Sequence, residues 1–191
     1  MKAGKPEPIE ATERYQYFSA QYAIRNLYDA LVELITNVDD SYGRLNKKDA
    51  SLLIEIDRRH QGGKIIIRDR AEGMSLEEMR RKFRKAGAKT SYTGDRGFMA
   101  RGVKDCRILG KLTFESIKDG YFHKCDLLSS FEGFVPYEPS RKVTDSDRKR
   151  LSIPHGNGTM VTFELNEDVK VPRHENMKCI SSDPFGHIRG I

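Results

Sequence analysis

The spacing of apolar residues switches between helical and strand periods in an irregular order, and this limits the chain to few architectures. Leu27, Leu31, Leu34, Ile35 and Val38 recur at i, i+4, i+7, i+8 and i+11, one stripe of a helix. The spacing predicts a helix over about 15–40, ended by Gly43 and the polar residues up to Asp49. Residues 52–57 and 64–68 are rich in Ile and Leu and flank R-R-H-Q-G-G, a hairpin pattern. Ser75 with Glu78 forms a capping-box signature opening a helix through Lys85. Residues 86–101 read as loop, with Gly87, Gly94 and Gly97, and a short helix is expected over 102–109. Residues 111–117 and 121–127 form a second hairpin about Lys118-Asp119-Gly120. Residues 132–157, with three prolines and many charges, read as mostly loop, and 158–165 as a strand. Strands joined as hairpins, with helices grouped apart from them, predict an α+β fold. The expected form is a two-layer α/β sandwich with helices on one face of a mixed, largely antiparallel sheet. A doubly wound sheet would alternate β and α regularly, and this chain does not.

Composition narrows the class further. With 191 residues the chain suits one domain. At 32% charged and 37% hydrophobic residues it is polar, but its repeated apolar runs argue against wholesale disorder. No run approaches the roughly 18 apolar residues of a membrane span. The opening M-K-A-G-K-P-E-P-I-E has no apolar stretch and is no secretory signal. A cytoplasmic protein without a membrane partner is expected. Cys106, Cys125 and Cys179 are odd in number and form no C-x-x-C, which fits reduced thiols rather than a disulfide framework or zinc site. His174, Cys179 and His187 match no zinc spacing, and the sequon at Asn157 has no meaning in that compartment.

The sequence contains no P-loop, no G-x-G-x-x-G and no G-x-S-x-G. Four other features bear chemistry. Glu33, Asn37 and Asp40 lie at i, i+4 and i+7, within roughly 60° of one another on a helix and away from the leucine stripe. Alone they read as a solvated polar face, yet Asn has no special use mid-helix. Asp69-Arg70-Ala71-Glu72-Gly73-Met74 puts a carboxylate at a strand end before a glycine turn, where it can meet a ligand with a fixed acceptor. Taken singly, that is also a common turn. Gly94-Asp95-Arg96-Gly97 and Arg101-Gly102-Val103-Lys104 lead into a helix, an arrangement that leaves N–H groups free for phosphate. Gly158-Thr159 opens a strand.

In this order and spacing, the four features resemble the GHKL, or Bergerat-fold, ATPases: the gyrase B subunit, the heat-shock-90 chaperone class, histidine kinases and MutL. Glu33, Asn37 and Asp40 match the family's E-x-x-N-x-x-D box. Asp69 and Gly73 match its D-x-G-x-G box, with Ala71 in place of the first glycine. Residues 86–102, including A-G-A-K-T-S, resemble its glycine-rich lid, and Gly158-Thr159 its closing G-T box. The resemblance spans about residues 20–165. It implies that ATP and Mg²⁺ are the ligands and ATP hydrolysis the reaction. It further implies that Asp69 accepts a hydrogen bond from the adenine amino group, with Gly73 and Met74 close to the base and Thr159 beside it. Asn37 would give an oxygen to Mg²⁺ next to Asp40, and Glu33 would orient or deprotonate the attacking water. Gly97, Arg101, Gly102, Val103 and Lys104 would hold and neutralise phosphates, and Lys89, Thr90 and Ser91 would lie in a lid over ATP. Residues 1–14 are then a polar arm, 15–170 the ATP-binding domain, and 171–191 a tail or the start of a downstream domain. The chain is expected to be the N-terminal domain of a larger protein that forms homodimers through downstream regions when ATP is bound.

Two other readings remain. A histidine-kinase domain would need an upstream phosphorylated His, and no His precedes His60. A nucleic-acid-binding module would use the basic runs at 80–89 and 141–150. Aromatic residues are sparse in the first run, and a net charge of +6 makes such runs more often solvated faces. Nucleic acid is therefore a secondary expected partner, compatible with an ATPase that works on DNA.

Overall fold

A computed structural model describes residues 12–46, 50–59, 62–83, 102–130 and 135–171. The described chain runs α1 (Glu13–Ala23), α2 (Leu27–Arg44), β1 (Leu52–Asp57), β2 (Lys64–Asp69), α3 (Leu76–Phe83) and α4 (Gly102–Asp105). A 3₁₀ turn (Cys106–Leu109) follows, then β3 (Gly110–Lys118), β4 (Tyr121–Leu127), β5 (Arg141–Lys142), α5 (Asp145–Leu151) and β6 (Gly158–Leu165).

The strands form one sheet in the order β1-β2-β6-β3-β4-β5. Its five pairings are all antiparallel, so the described sheet is antiparallel throughout rather than mixed. Side chains alternate across a strand, so cross-strand partners share a face. Ile67, Val161, Phe114 and Cys125 form one apolar row across β2, β6, β3 and β4. Ile65, Phe163, Leu112 and Leu127 form the next. Both rows pack with Leu27, Leu31, Leu34 and Val38 of α2 and Met79 and Phe83 of α3 in the main core. Each such buried side chain contributes roughly 1.5–3 kcal/mol through area removed from water.

Two sequence expectations need correction, and a third needs refining. The helix over 15–40 is two helices. The chain extends at Ile24 and restarts where Asn26 accepts a hydrogen bond from the Asp29 N–H, a capping contact that the leucine stripe does not reveal. The short helix over 102–109 is one α turn followed by one 3₁₀ turn. Residues 135–157 are mostly loop, as the prolines and charges suggest, but not wholly. They hold β5 and α5, and α5 starts at a capping box between Thr144 and Asp147. Leu151 and Ile153 then pack on Ile117, Phe122 and Met160. These three strand residues lie out of phase with the main core rows, so α5 covers a corner of the second sheet face while α2–α4 cover the first.

Candidate functional site

The next row on the helix-covered face is polar where the two before it are apolar. Ser116 pairs with Thr159 on one side and His123 on the other, and the Thr159 N–H donates to Asp69 Oδ1 at 3.2 Å. Asp69, Thr159, Ser116 and His123 thus line the end of four neighbouring strands, and all four are buried. A buried polar row needs internal partners. Ser116 Oγ accepts the Met74 N–H at 2.7 Å and lies 3.0 Å from the Gly158 carbonyl and 3.2 Å from Thr159 Oγ1. Its single proton goes to the Gly158 carbonyl, so the Thr159 hydroxyl donates to Ser116.

Two glycines allow this packing. Gly73 has φ +66°, and a Cβ there would lie 2.3 Å from the Ile117 carbonyl oxygen. A Cβ on Gly158 would lie 2.5 Å from the Asp69 carbonyl oxygen. Neither position tolerates a side chain without backbone movement. Ala71 is buried in the main core, and its N–H donates to Asp69 Oδ1 at 2.9 Å.

Asp69 therefore receives two backbone N–H groups on one oxygen. Its other oxygen, Oδ2, accepts no hydrogen bond among the described residues. Burial raises the pKa to about 6, opposed by the Ala71 and Thr159 N–H groups and by the charge of Lys82.

Helix α2 supplies the facing wall. Glu33, Asn37 and Asp40 are half-buried on one stripe. The Asn37 amide donates to the Glu33 carbonyl, and its Oδ1 accepts from Lys82 Nζ at 2.9 Å. The Glu33 carboxylate lies against Gly102, where a Cβ would come within 1.8 Å of Oε2. Burial, and secondarily the nearby Asp105, push the Glu33 pKa up. Among the described residues no group of three or more His, Cys, Asp and Glu is arranged to hold a metal. A cation at Asn37 would thus take few ligands from the described residues.

Of the residues singled out from sequence, Glu33, Asn37, Asp69, Gly73, Met74, Gly102 and Thr159 come together at this end of the sheet. Asp40 shares their helix stripe. Val103 packs in the main core, and Lys104 is buried with its ammonium on the Lys82 carbonyl at 3.0 Å. Lys89, Thr90, Ser91, Gly97 and Arg101 lie outside the described residues. Two site residues were not foreseen. Lys82 had been counted in a basic run read as a solvated face, but its neighbours Met79 and Phe83 are core residues, so α3 turns it inward. Ser116 breaks the apolar alternation Leu112-Phe114, which was its available signal. In the second basic run, Arg141 pairs with Asp147 and Arg150 with Glu115.

No protein-family model matches the sequence, and no curated protein matches it. The fold, however, matches solved structures. The ATPase and transducer domains of DNA topoisomerase II from Balamuthia mandrillaris superpose with a TM-score of 0.53 and 18% identity, over 74% of this chain and 37% of that one. The ATPase region of Saccharomyces cerevisiae topoisomerase II gives 0.52 and 14%, over 73% and 38%. The chain has the fold of these ATPase regions, the Bergerat fold. It spans under two fifths of either topoisomerase chain.

Proposed function

We propose that this domain binds ATP with Mg²⁺ and hydrolyses it, as one module of a larger protein. Asp69 carries the reading. A carboxylate that is 7% exposed, with one oxygen saturated and the other accepting nothing among the described residues, suits an amino donor from a ligand. The adenine amino group is such a donor, and Gly73 leaves room for a base to approach the backbone. Thr159 and Met74 flank that position.

Glu33 is the proposed base that orients or deprotonates the attacking water. Its burial favours proton uptake compared with an exposed glutamate, as a general base requires. Mg²⁺ would be held by Asn37 Oδ1 with water and phosphate oxygens completing its shell, and there it would neutralise phosphate charge. Gly102 keeps the Glu33 carboxylate in place, because any side chain at 102 would displace it. Residues 15–170 are the proposed ATP-binding unit, and homodimerisation through downstream regions remains part of the proposal. No helix among the described residues is long and apolar enough to cross a membrane.

The test separates binding from chemistry. Glu33→Ala should bind Mg·ATP within a few-fold of wild type, yet lose roughly 10²-fold or more in single-turnover hydrolysis. Hydrolysis at the wild-type rate would remove Glu33 as the base.

A further inference from the structure

The ammonium of Lys82 ends on the same oxygen that the ATP reading assigns to Mg²⁺. Lys82 lies in the last turn of α3, and its Nζ donates to Asn37 Oδ1 at 2.9 Å. The backbone at this point is fixed. The Lys82 carbonyl accepts from the buried Lys104 ammonium at 3.0 Å. Met79 and Phe83, which flank Lys82, are locked in the core. At the start of the helix, Ser75 and Glu78 cap each other, and Lys118 holds Glu78. On this held backbone the long Lys82 side chain reaches Asn37, and its charge also acts on the Asp69 carboxyl.

A single amide oxygen cannot comfortably serve an ammonium and Mg²⁺ together. With Mg²⁺ at its usual short distance, the two cations would sit about 4 Å apart and repel. One must leave, and a metal that enters with a polyphosphate brings the anionic oxygens on which a displaced ammonium can settle.

We infer that Lys82 is a phosphate-contacting residue that holds Asn37 Oδ1 in the nucleotide-free protein and yields it to Mg²⁺ when nucleotide enters. The inference rests on the ATP reading and adds to it a further protein cation for the phosphates and a competitor for the metal.

The experiment measures ATP and adenosine affinity by calorimetry, with excess Mg²⁺ and with EDTA, for wild type, Lys82→Met and Lys82→Arg. With EDTA, Lys82→Met should bind ATP about tenfold or more weakly than wild type, the scale of one charge-assisted hydrogen bond. Mg²⁺ should then improve ATP binding by a larger factor in Lys82→Met than in wild type, because the metal no longer displaces an ammonium. Lys82→Arg, which keeps the charge, should stay close to wild type in EDTA. Adenosine has no phosphate and should bind all three proteins alike. An equal Mg²⁺ enhancement in wild type and Lys82→Met would overturn the inference while leaving the ATP reading standing. So would a parallel loss of adenosine binding, which marks a merely structural role. A wild-type protein that binds ATP under neither condition would overturn both.

Discussion

Asp69 and Asp147 are nearly equally hidden, at 7% and 5% exposure, but their surroundings treat them in opposite ways. Asp147 lies in the first turn of α5, on the second sheet face. Its two oxygens take both Arg141 nitrogens at 2.6 and 2.8 Å, and Oδ2 also takes the Thr144 N–H and hydroxyl. Arg141, first among these causes, holds the Asp147 carboxyl well below the ordinary carboxylate range. Asp69 lies on the first face with two N–H groups on one oxygen, and burial lifts it to about 6. A carboxylate that only fixes a helix start is saturated. A carboxylate that is buried and under-bonded costs stability, and such groups concentrate at sites that meet ligands.

The comparison can be broken first at the turn that closes over Asp69. Gly73→Ala should destabilise the domain by roughly 2–4 kcal/mol in urea unfolding, because a Cβ at φ +66° also meets the Ile117 carbonyl. A cost under about 0.5 kcal/mol would mean that the turn is not held against β3 as described.

Next in size is Asp69→Asn. The folded carboxyl holds its proton more tightly than the unfolded one, so between about pH 4 and 6 the folded state binds the extra proton. Wild-type stability from this group is full below about pH 4 and is lost as pH rises through about 6. The amide variant escapes that loss. It should be more stable than wild type at pH 8, by at most roughly 3 kcal/mol, with the difference closing below pH 4. A variant less stable than wild type at pH 8 would reverse the assignment.

Asp147→Asn should show the opposite sign and a smaller effect. Its folded carboxyl sits below the unfolded value, so its stability is present above about pH 4 and lost as pH falls further. The variant should cost roughly 1–2 kcal/mol at pH 7 and less at pH 3. Equal pH profiles for wild type and the variant would remove the Arg141–Asp147 pairing from the account.

The two regions also differ in how legible they were. The Asp69 end was largely readable, because strand ends, glycine turns and the Glu33-Asn37-Asp40 stripe leave fixed intervals in sequence. Corresponding strands, both hairpins and the Ser75–Glu78 cap lie where the pattern put them. The Asp147 corner was read as loop, because prolines and charges masked a seven-residue helix. Its start signal, Thr144 with Asp147, is a capping pair with Asp in the third position, and the break before α2 at Asn26 and Asp29 is similar. Both were overlooked beside the more familiar pairing with Glu. Lys82 was hidden for another reason. The direction of one lysine depends on which stripe of α3 is buried, and a basic run looks alike whether or not one member turns inward.

The central claim is that Asp69 reads an amino group on a base, and calorimetry with two nucleotides tests it most directly. Wild type should bind Mg·ATP roughly tenfold or more tightly than the same triphosphate of unsubstituted purine riboside, which lacks only the exocyclic amino group. Asp69→Asn, whose amide can present a donor where Oδ2 accepts, should lose that preference. Equal wild-type affinity for the two nucleotides, or a preference that survives in Asp69→Asn, would contradict the account.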